Sequence, residues 1–260
     1  MKSDAILHPA TGMPIKLGRR PARRNAKSRL KSTALHNFLS ILPDDAAPTV
    51  VDNSSGIDEW GMMLNDQLGD CTCACPGHMI QAWTARAGKE ITLPDSAILK
   101  AYEDFDGYVD GDPSTDQGGD ILTVCQDWQS QGVGGHRISA HAEVNMTQLR
   151  WQQALWVFGT LNTGLGLPIT AQAQVGGTWD IVGDGETGDS ARNSWGGHCI
   201  AAVGYDLEGV TFVTWGALQR ATWRFVMWYF DECVACLSPD WTNCPIDVST
   251  LTGVLQQIGS

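Results

Sequence analysis

The spacing of hydrophobic residues changes once along the chain, near residue 157. Before that point apolar residues recur at helical intervals. Beyond it they fall in short β-branched and aromatic blocks separated by glycines. From Thr72 onward, Ala74, His78, Ile80, Ala82, Trp83 and Ala85 outline a buried, alanine-rich helical face. Pro76 lies inside this pattern, and a proline is tolerated in the first turn of a helix, so the helix has to begin near Cys71. Gly88 ends it. Pro94-Asp95-Ser96 caps a second helix over 97–105. Residues 120–131 form a third, closed by Gly132, and a fourth, opened by Asn145 or Thr147, covers 148–155. A short helix over 32–42 stops before Pro43. Residues 164–170, 199–205, 210–214 and 222–229 read as strands between Gly-rich turns. The fold class is therefore α+β. An arm over residues 1–50 precedes a domain over 51–260, with a helical N-terminal lobe at 60–156 and an antiparallel β-rich C-terminal lobe at 157–238.

Composition supports a packed domain. Hydrophobic residues make up 43% of the chain, with 11 Trp and only 18% charged residues, which excludes disorder as a whole-chain reading. No apolar run approaches the length of a membrane span, and the N-terminus lacks the apolar core of a secretory signal, so a cytoplasmic origin is the default expectation. The net charge of -12 conceals an asymmetry. Residues 1–36 carry nine Lys/Arg (Lys2, Lys16, Arg19, Arg20, Arg23, Arg24, Lys27, Arg29 and Lys31) against the single acid Asp4, hence +8, which leaves -20 for the rest. The same arm holds Leu17, Pro21, Leu30, Leu35, Phe38 and Leu42. Apolar anchors among basic residues suit docking onto an acidic protein surface, and no duplex-reading motif favours nucleic acid. A basic arm of this kind stays ordered only if something holds it. Residues 1–50 are therefore expected to bind other protein subunits, with Arg19, Arg20, Arg23, Arg24, Lys27 and Arg29 as the contacts.

Two segments carry chemistry. In Asn65-Asp-Gln-Leu-Gly-Asp-Cys71 a thiol stands where a loop becomes a helix. The N–H groups and partial positive charge of a helix start favour a thiolate. Six residues upstream, the amide of Asn65 can return to donate to an oxyanion, and Gln67 is a second candidate for that donor. In Gly196-Gly-His-Cys-Ile-Ala-Ala-Val-Gly-Tyr-Asp206 a histidine opens a strand 127 residues after Cys71. A lone cysteine or histidine is usually a core residue; a pair at this separation suggests a nucleophile and its base. Cys73 is an alternative nucleophile, since Gln67 precedes it by six. Among the other cysteines, Cys75, Cys125, Cys199, Cys233, Cys236 and Cys244 read as free thiols. A disulfide among 233, 236 and 244, or a zinc half-site at Cys233-Val-Ala-Cys236, are the alternatives. No second C-x-x-C exists, so no metal or other cofactor is expected. The aspartates at 104, 106, 110, 112 and 116 read as a solvated acidic face.

These segments resemble the papain family of thiol peptidases. Gly197-His198-Cys-Ile-Ala-Ala-Val-Gly-Tyr-Asp206 resembles the family's histidine strand, and Leu68-Gly-Asp-Cys71 is identical to the nucleophile motif of calpains, which share the fold. Gln117-Gly-Gly-Asp-Ile-Leu is similar to the family's Asn-Gly-Gly segment. Gly176-Gly177-Thr-Trp179 resembles the turn ahead of the histidine, and Val213-Thr-Trp-Gly216 resembles the Asn-Ser-Trp-Gly segment. The resemblance is colinear from residue 60 to 238. It implies a papain-like two-lobed fold with Cys71 as nucleophile and His198 as base across the cleft. Asn65 or Gln67, with the Cys71 N–H, would form the oxyanion hole, and Trp215 would shield the pair. The family's orienting Asn is replaced by Val213, which leaves Thr214, Asp180 or a backbone carbonyl to fix the imidazole. Similar chains with an Arg-rich arm and a Leu-Gly-Asp-Cys motif occur in tailed bacteriophages. That likeness implies a structural or assembly component of a virion, made in the host cytoplasm and anchored by its arm. The alternative is an active cysteine peptidase or amidase that cuts a peptide or amide substrate with Cys71 and His198.

Overall fold

The computed structural model describes residues 6–9 and 12–259; Lys2 and Asp4 of the basic arm lie outside them. Seven α-helices appear among the described residues: α1 (Ala26–Ser40), α2 (Cys71–Arg86), α3 (Asp95–Asp106), α4 (Ile121–Ser130), α5 (Gln148–Phe158), α6 (Trp223–Tyr229) and α7 (Ser249–Gly259). Eight strands accompany them: β1 (Val51–Asp52), β2 (Ala140–Glu143), β3 (Leu161–Leu167), β4 (Thr178–Trp179), β5 (Gly196–Tyr205), β6 (Gly209–Thr214), β7 (Ala217–Thr222) and β8 (Phe230–Leu237). They join in one sheet of order β2-β8-β3-β5-β6-β7-β4, antiparallel except for the β4–β7 pair, with β1 added along β5. The fold class is α+β, as the residue pattern indicates.

Each predicted helix is present with nearby boundaries, and local chemistry explains the starts. Asp120 accepts from the Thr123 N–H and Thr147 from the Arg150 N–H, capping α4 and α5. α1 runs longer than the pattern suggests because Asn25 and Ser28 form a reciprocal capping box six residues ahead of the predicted start. Pro76 sits one residue beyond the first turn of α2, still inside the helix. Two expectations fail. Residues 223–229 are a helix, started by the Thr222 hydroxyl accepting from the Phe225 N–H; Trp223, Phe225, Val226 and Tyr229 are buried on a helix, not in a strand. The strand follows at 230–237. β7 carries no clear apolar run, whereas α7 places Leu251, Val254, Leu255 and Ile258 at helical spacing; neither is among the expected elements.

The central sheet is covered on both faces, so β3 is buried throughout and β5 is buried from His198 onward instead of alternating. Cys199, Ala201 and Val203 of β5 face the helical lobe, with Met79, Ile80 and Trp83 of α2 in the same core. Ile200, Ala202 and Tyr205 face a second core that includes Trp151, Phe212 and Phe230. α1 packs against α7 and β2, with Leu35 and Leu39 fully buried and Phe38 and Leu42 half-buried against that second core. Leu17, Leu35, Phe38 and Leu42 of the arm are thus buried or half-buried on this same chain, while Pro21 and Leu30 stay exposed.

Candidate active site

Cys71 is the first residue of α2, so its own N–H is among those a helix leaves unpaired. α2 lies against β5, which begins with Gly196-Gly197-His198. The backbone N–H groups of Cys199 and Gly18 lie close enough to favour the Cys71 thiolate, so the thiol stands near the residue that follows His198. The His198 ring is fully buried. Its Nε2 is 2.7 Å from the Thr214 hydroxyl, and its Nδ1 has no hydrogen-bond partner. The Trp215 ring stacks on the imidazole at 4.5 Å and 14°. Trp215 holds a left-handed backbone conformation, φ 50°, next to this stack. Thr214 therefore occupies the position of an orienting group on one face of the ring system, immediately before the tryptophan that covers it.

The other nominated residues lie as follows. Asn65 is buried, and its side-chain amide donates to Asp70 Oδ1 at 3.2 Å and toward the Leu68 carbonyl at 3.4 Å. Burial pushes the Asp70 carboxyl well above its usual range, which favours the neutral acid. Gln67 is exposed. Asp180 does not reach His198. Its carboxylate accepts from Thr222 and Arg224 at the far side of the sheet, beside the short strand β4. Cys73 donates to Asp106 at 3.8 Å. Burial and the Asp106 charge push its thiol well up, as burial does for Cys71. All eight cysteines are free, and among the described residues no His/Cys/Asp/Glu group could hold a metal ion.

The feature that residue reading missed is what covers the pair. Residues 16–20 of the arm run through the cleft and bond to both of its walls. The Lys16 N–H donates to Asn65 O at 3.1 Å, and the Trp215 Nε1 donates to Lys16 O at 2.9 Å. The Gly119 N–H donates to Gly18 O at 2.9 Å, and the Arg20 N–H to Gly119 O at 2.7 Å, so the arm pairs in parallel with the Gly118-Gly119 segment. The Arg19 N–H donates to Gly197 O at 3.1 Å. The approach is so close that glycine is required on both sides. A Cβ on Gly18 would lie 1.7 Å from Gly69 O, one on Gly118 1.8 Å from Gly18 O, and one on Gly197 2.2 Å from Arg19 O. The arm turns an N–H toward the sulfur and gives its Gly18 carbonyl to Gly119, so that carbonyl is bonded to the wall instead of being offered to the thiol.

Arm charges are met within the chain as well. Arg19 is buried and paired with Asp231 and Glu232, Arg20 bonds the carbonyls of Gln117 and Gly118, Arg23 faces Asp120, Arg24 pairs with Glu143, and Lys27 reaches Gly259 O. Arg29 is exposed on α1. The expected external surface for this arm is therefore matched by an internal one. A signal was available: Asp231-Glu232 is an acid doublet opening an otherwise apolar strand, opposite in charge to the arm. Sequence alone gave no reason to join the two.

Under this cover the pair is electrically quiet. Burial raises the Cys71 thiol well above its usual range, aided by nearby acidic groups and opposed by the two backbone N–H groups. Burial, with smaller effects from His78 and Arg19, lowers His198 to about 3. A neutral thiol and a neutral imidazole are not a nucleophile and a base ready to act.

No family model matches the sequence, and no curated protein matches it. Solved structures do match in shape. Xylellain, a cysteine protease from Xylella fastidiosa, is 12% identical with a TM-score of 0.61, covering 85% of this chain and 96% of its own. The Carica candamarcensis cysteine protease CMS1MS2, solved in complex with E-64, is 14% identical with a TM-score of 0.52, covering 74% and 99%. Procathepsin B S9 from Trypanosoma congolense is 10% identical with a TM-score of 0.54, covering 86% of each chain. At such identities the likeness concerns the fold: this chain has the papain-like fold of cysteine proteases.

Proposed function

We propose that this chain is a cysteine peptidase that uses Cys71 and His198 and is held latent by residues 16–20 of its own arm. The observation that carries this reading is the strand of arm bonded across both cleft walls above the thiol. Withdrawal of the arm rehydrates the pair, so the thiol can lose its proton to the free Nδ1 of His198, while Thr214 holds Nε2. The thiolate then attacks a peptide carbonyl carbon. The Cys71 N–H, joined by the Asn65 amide once it turns from Asp70, donates to the resulting oxyanion. The imidazolium returns its proton to the leaving amine, and water hydrolyses the thioester. A peptide substrate fits the cleft because the cleft already holds a peptide by its backbone.

The arm was also the feature that pointed to an anchored component of a virion. Most of its basic and apolar residues dock on this chain, with Pro21, Arg29 and Leu30 left exposed, so that role and that location keep little beyond the likeness to phage chains in their support. The reading is tested with the full chain carrying Gly18→Val, whose side chain cannot fit against Gly69. This variant should hydrolyse internally quenched peptides or casein at least about 100-fold faster than the parent, an effect of about 2.7 kcal/mol in cleft access. Adding Cys71→Ala should abolish that activity. Equal hydrolysis with and without Cys71 sinks the proposal.

A further inference from the structure

One residue along the arm from Gly18, the guanidinium group of Arg19 is held in a buried acidic slot. While Gly18 faces Cys71, the side chain of Arg19 leaves the cleft and enters a slot between β3 and β8. There Arg19 Nη2 donates to Asp231 Oδ1 at 2.6 Å and to Glu232 Oε2 at 2.9 Å, and Nε lies 3.3 Å from the same Glu232 oxygen. The Glu232 side chain is 4% exposed and that of Asp231 is 32% exposed, so one acid forms the floor and the other the rim. Gly164, paired with Glu232 in the sheet next to a register shift, has no side chain to obstruct it; a Cβ there would stand 2.2 Å from Arg19 Nε. The wall opposite is the start of β5, where Gly197 O accepts from the Arg19 N–H.

Glu232 is the informative residue. A buried carboxylate left without a partner is strongly unfavourable, so the slot is not indifferent to what fills it. Two acids bracket one planar cation, the arrangement that suits a forked donor better than an ammonium. The neighbouring acid Glu143 is already taken by Arg24. Any peptide that replaces the arm along the same wall places a side chain in this slot, because the backbone bonds at Gly119 and Gly197 fix its register.

On the reading of this chain as a peptidase, we infer that Asp231 and Glu232 select substrates with an arginine beside the residue that lies over Cys71, and that Arg19 occupies the slot as an internal stand-in for that arginine. The test uses the full chain with Gly18→Val, whose cleft is shown to be open by free alkylation of Cys71. The probe is a dye-labelled peptide, Leu-Gly-Arg-Arg-Pro, and the same peptide with Lys or Leu at its third position. The arginine peptide should bind at least about 30-fold more tightly than the leucine peptide, with lysine between them. Glu232→Leu should remove or reverse that order, and Glu232→Gln, which keeps the volume, should reduce it. Equal affinity for the arginine and leucine peptides, or binding of neither to an open cleft, overturns the assignment. Hydrolysis of a matching quenched-peptide series separates the two proposals. Arginine-selective binding with no hydrolysis of any peptide defeats the peptidase reading and leaves the pocket standing; hydrolysis indifferent to arginine does the reverse.

Discussion

Gly18→Val has a consequence that can be worked from the structure. The new Cβ would lie 1.7 Å from Gly69 O and 2.3 Å from its carbonyl carbon, far inside contact distance. Gly69 cannot yield, because it is buried at the mouth of α2 and its N–H is bonded to Asp116 Oδ1 at 2.9 Å. The arm must lift. It then loses the five hydrogen bonds made by Lys16 N, Lys16 O, Gly18 O, Arg19 N and Arg20 N. At about 1 kcal/mol each this is about 5 kcal/mol, or between 10³- and 10⁴-fold in arm occupancy. Separation of the Arg19–Glu232 pair comes on top of these bonds, because it leaves a buried carboxylate without its partner. The assay is the rate of Cys71 carboxyamidomethylation by iodoacetamide, mapped by peptide mass spectrometry to distinguish it from the other thiols. The parent should be almost inert, since Cys71 is fully buried, and the variant should react at least about 100-fold faster. A rate within twofold of the parent, with unchanged circular dichroism and melting temperature, would show that the arm does not gate the thiol.

The remaining predictions concern the pair and its surroundings. In the arm-opened chain Thr214→Val should lower kcat roughly 10²-fold with little change in KM, and Thr214→Ser should restore most of it, because only the hydroxyl holds His198 Nε2; an unchanged kcat would show that Thr214 orients nothing. Burial lowers His78 to about 4 and His141 and His198 to about 3, so these three histidines bind fewer protons in the folded chain than in the unfolded chain below pH 6.5. Their contribution to stability is therefore whole above pH 6.5 and falls as pH drops toward 4, by up to about 1.4 kcal/mol per pH unit each, while the burial-raised carboxyls of Asp70, Asp106 and Glu232 act in the opposite direction. Denaturant melts of His141→Gln against the parent at pH 7, 6, 5 and 4 should show the variant with the shallower slope, and parallel curves would refute the assignment. Ellman titration of the unfolded, unreduced chain should count eight thiols; six or fewer would reveal a disulfide.

The helix start at Cys71 and the histidine strand could be read from residues because each rests on local chemistry: a glycine and an acid before a helix, a β-branched run after Gly-Gly. The aromatic segment 223–229 was misassigned because seven residues dense in aromatics carry no period that separates a short helix from a strand, and the Thr222 cap is what distinguishes them. The arm resisted for a different reason. Its charge and apolar residues indicate that it docks, but not onto what. The answer depends on tertiary placement: Glu232 on β8, Gly164 on β3 and Gly197 on β5 meet only once the sheet is assembled. Thr214 was one of several candidates for orienting the imidazole, and the sheet register between β5 and β6 is what brings its hydroxyl to Nε2.

The most direct test of the central claim is covalent labelling of the arm-opened chain by a peptidyl halomethyl ketone, read as intact mass and then mapped. The account predicts a single adduct on Cys71, slowed by His198→Ala, abolished by Cys71→Ala and nearly absent from the parent chain. Labelling of Cys73 instead of Cys71, or equal labelling of parent and opened chains, would contradict it.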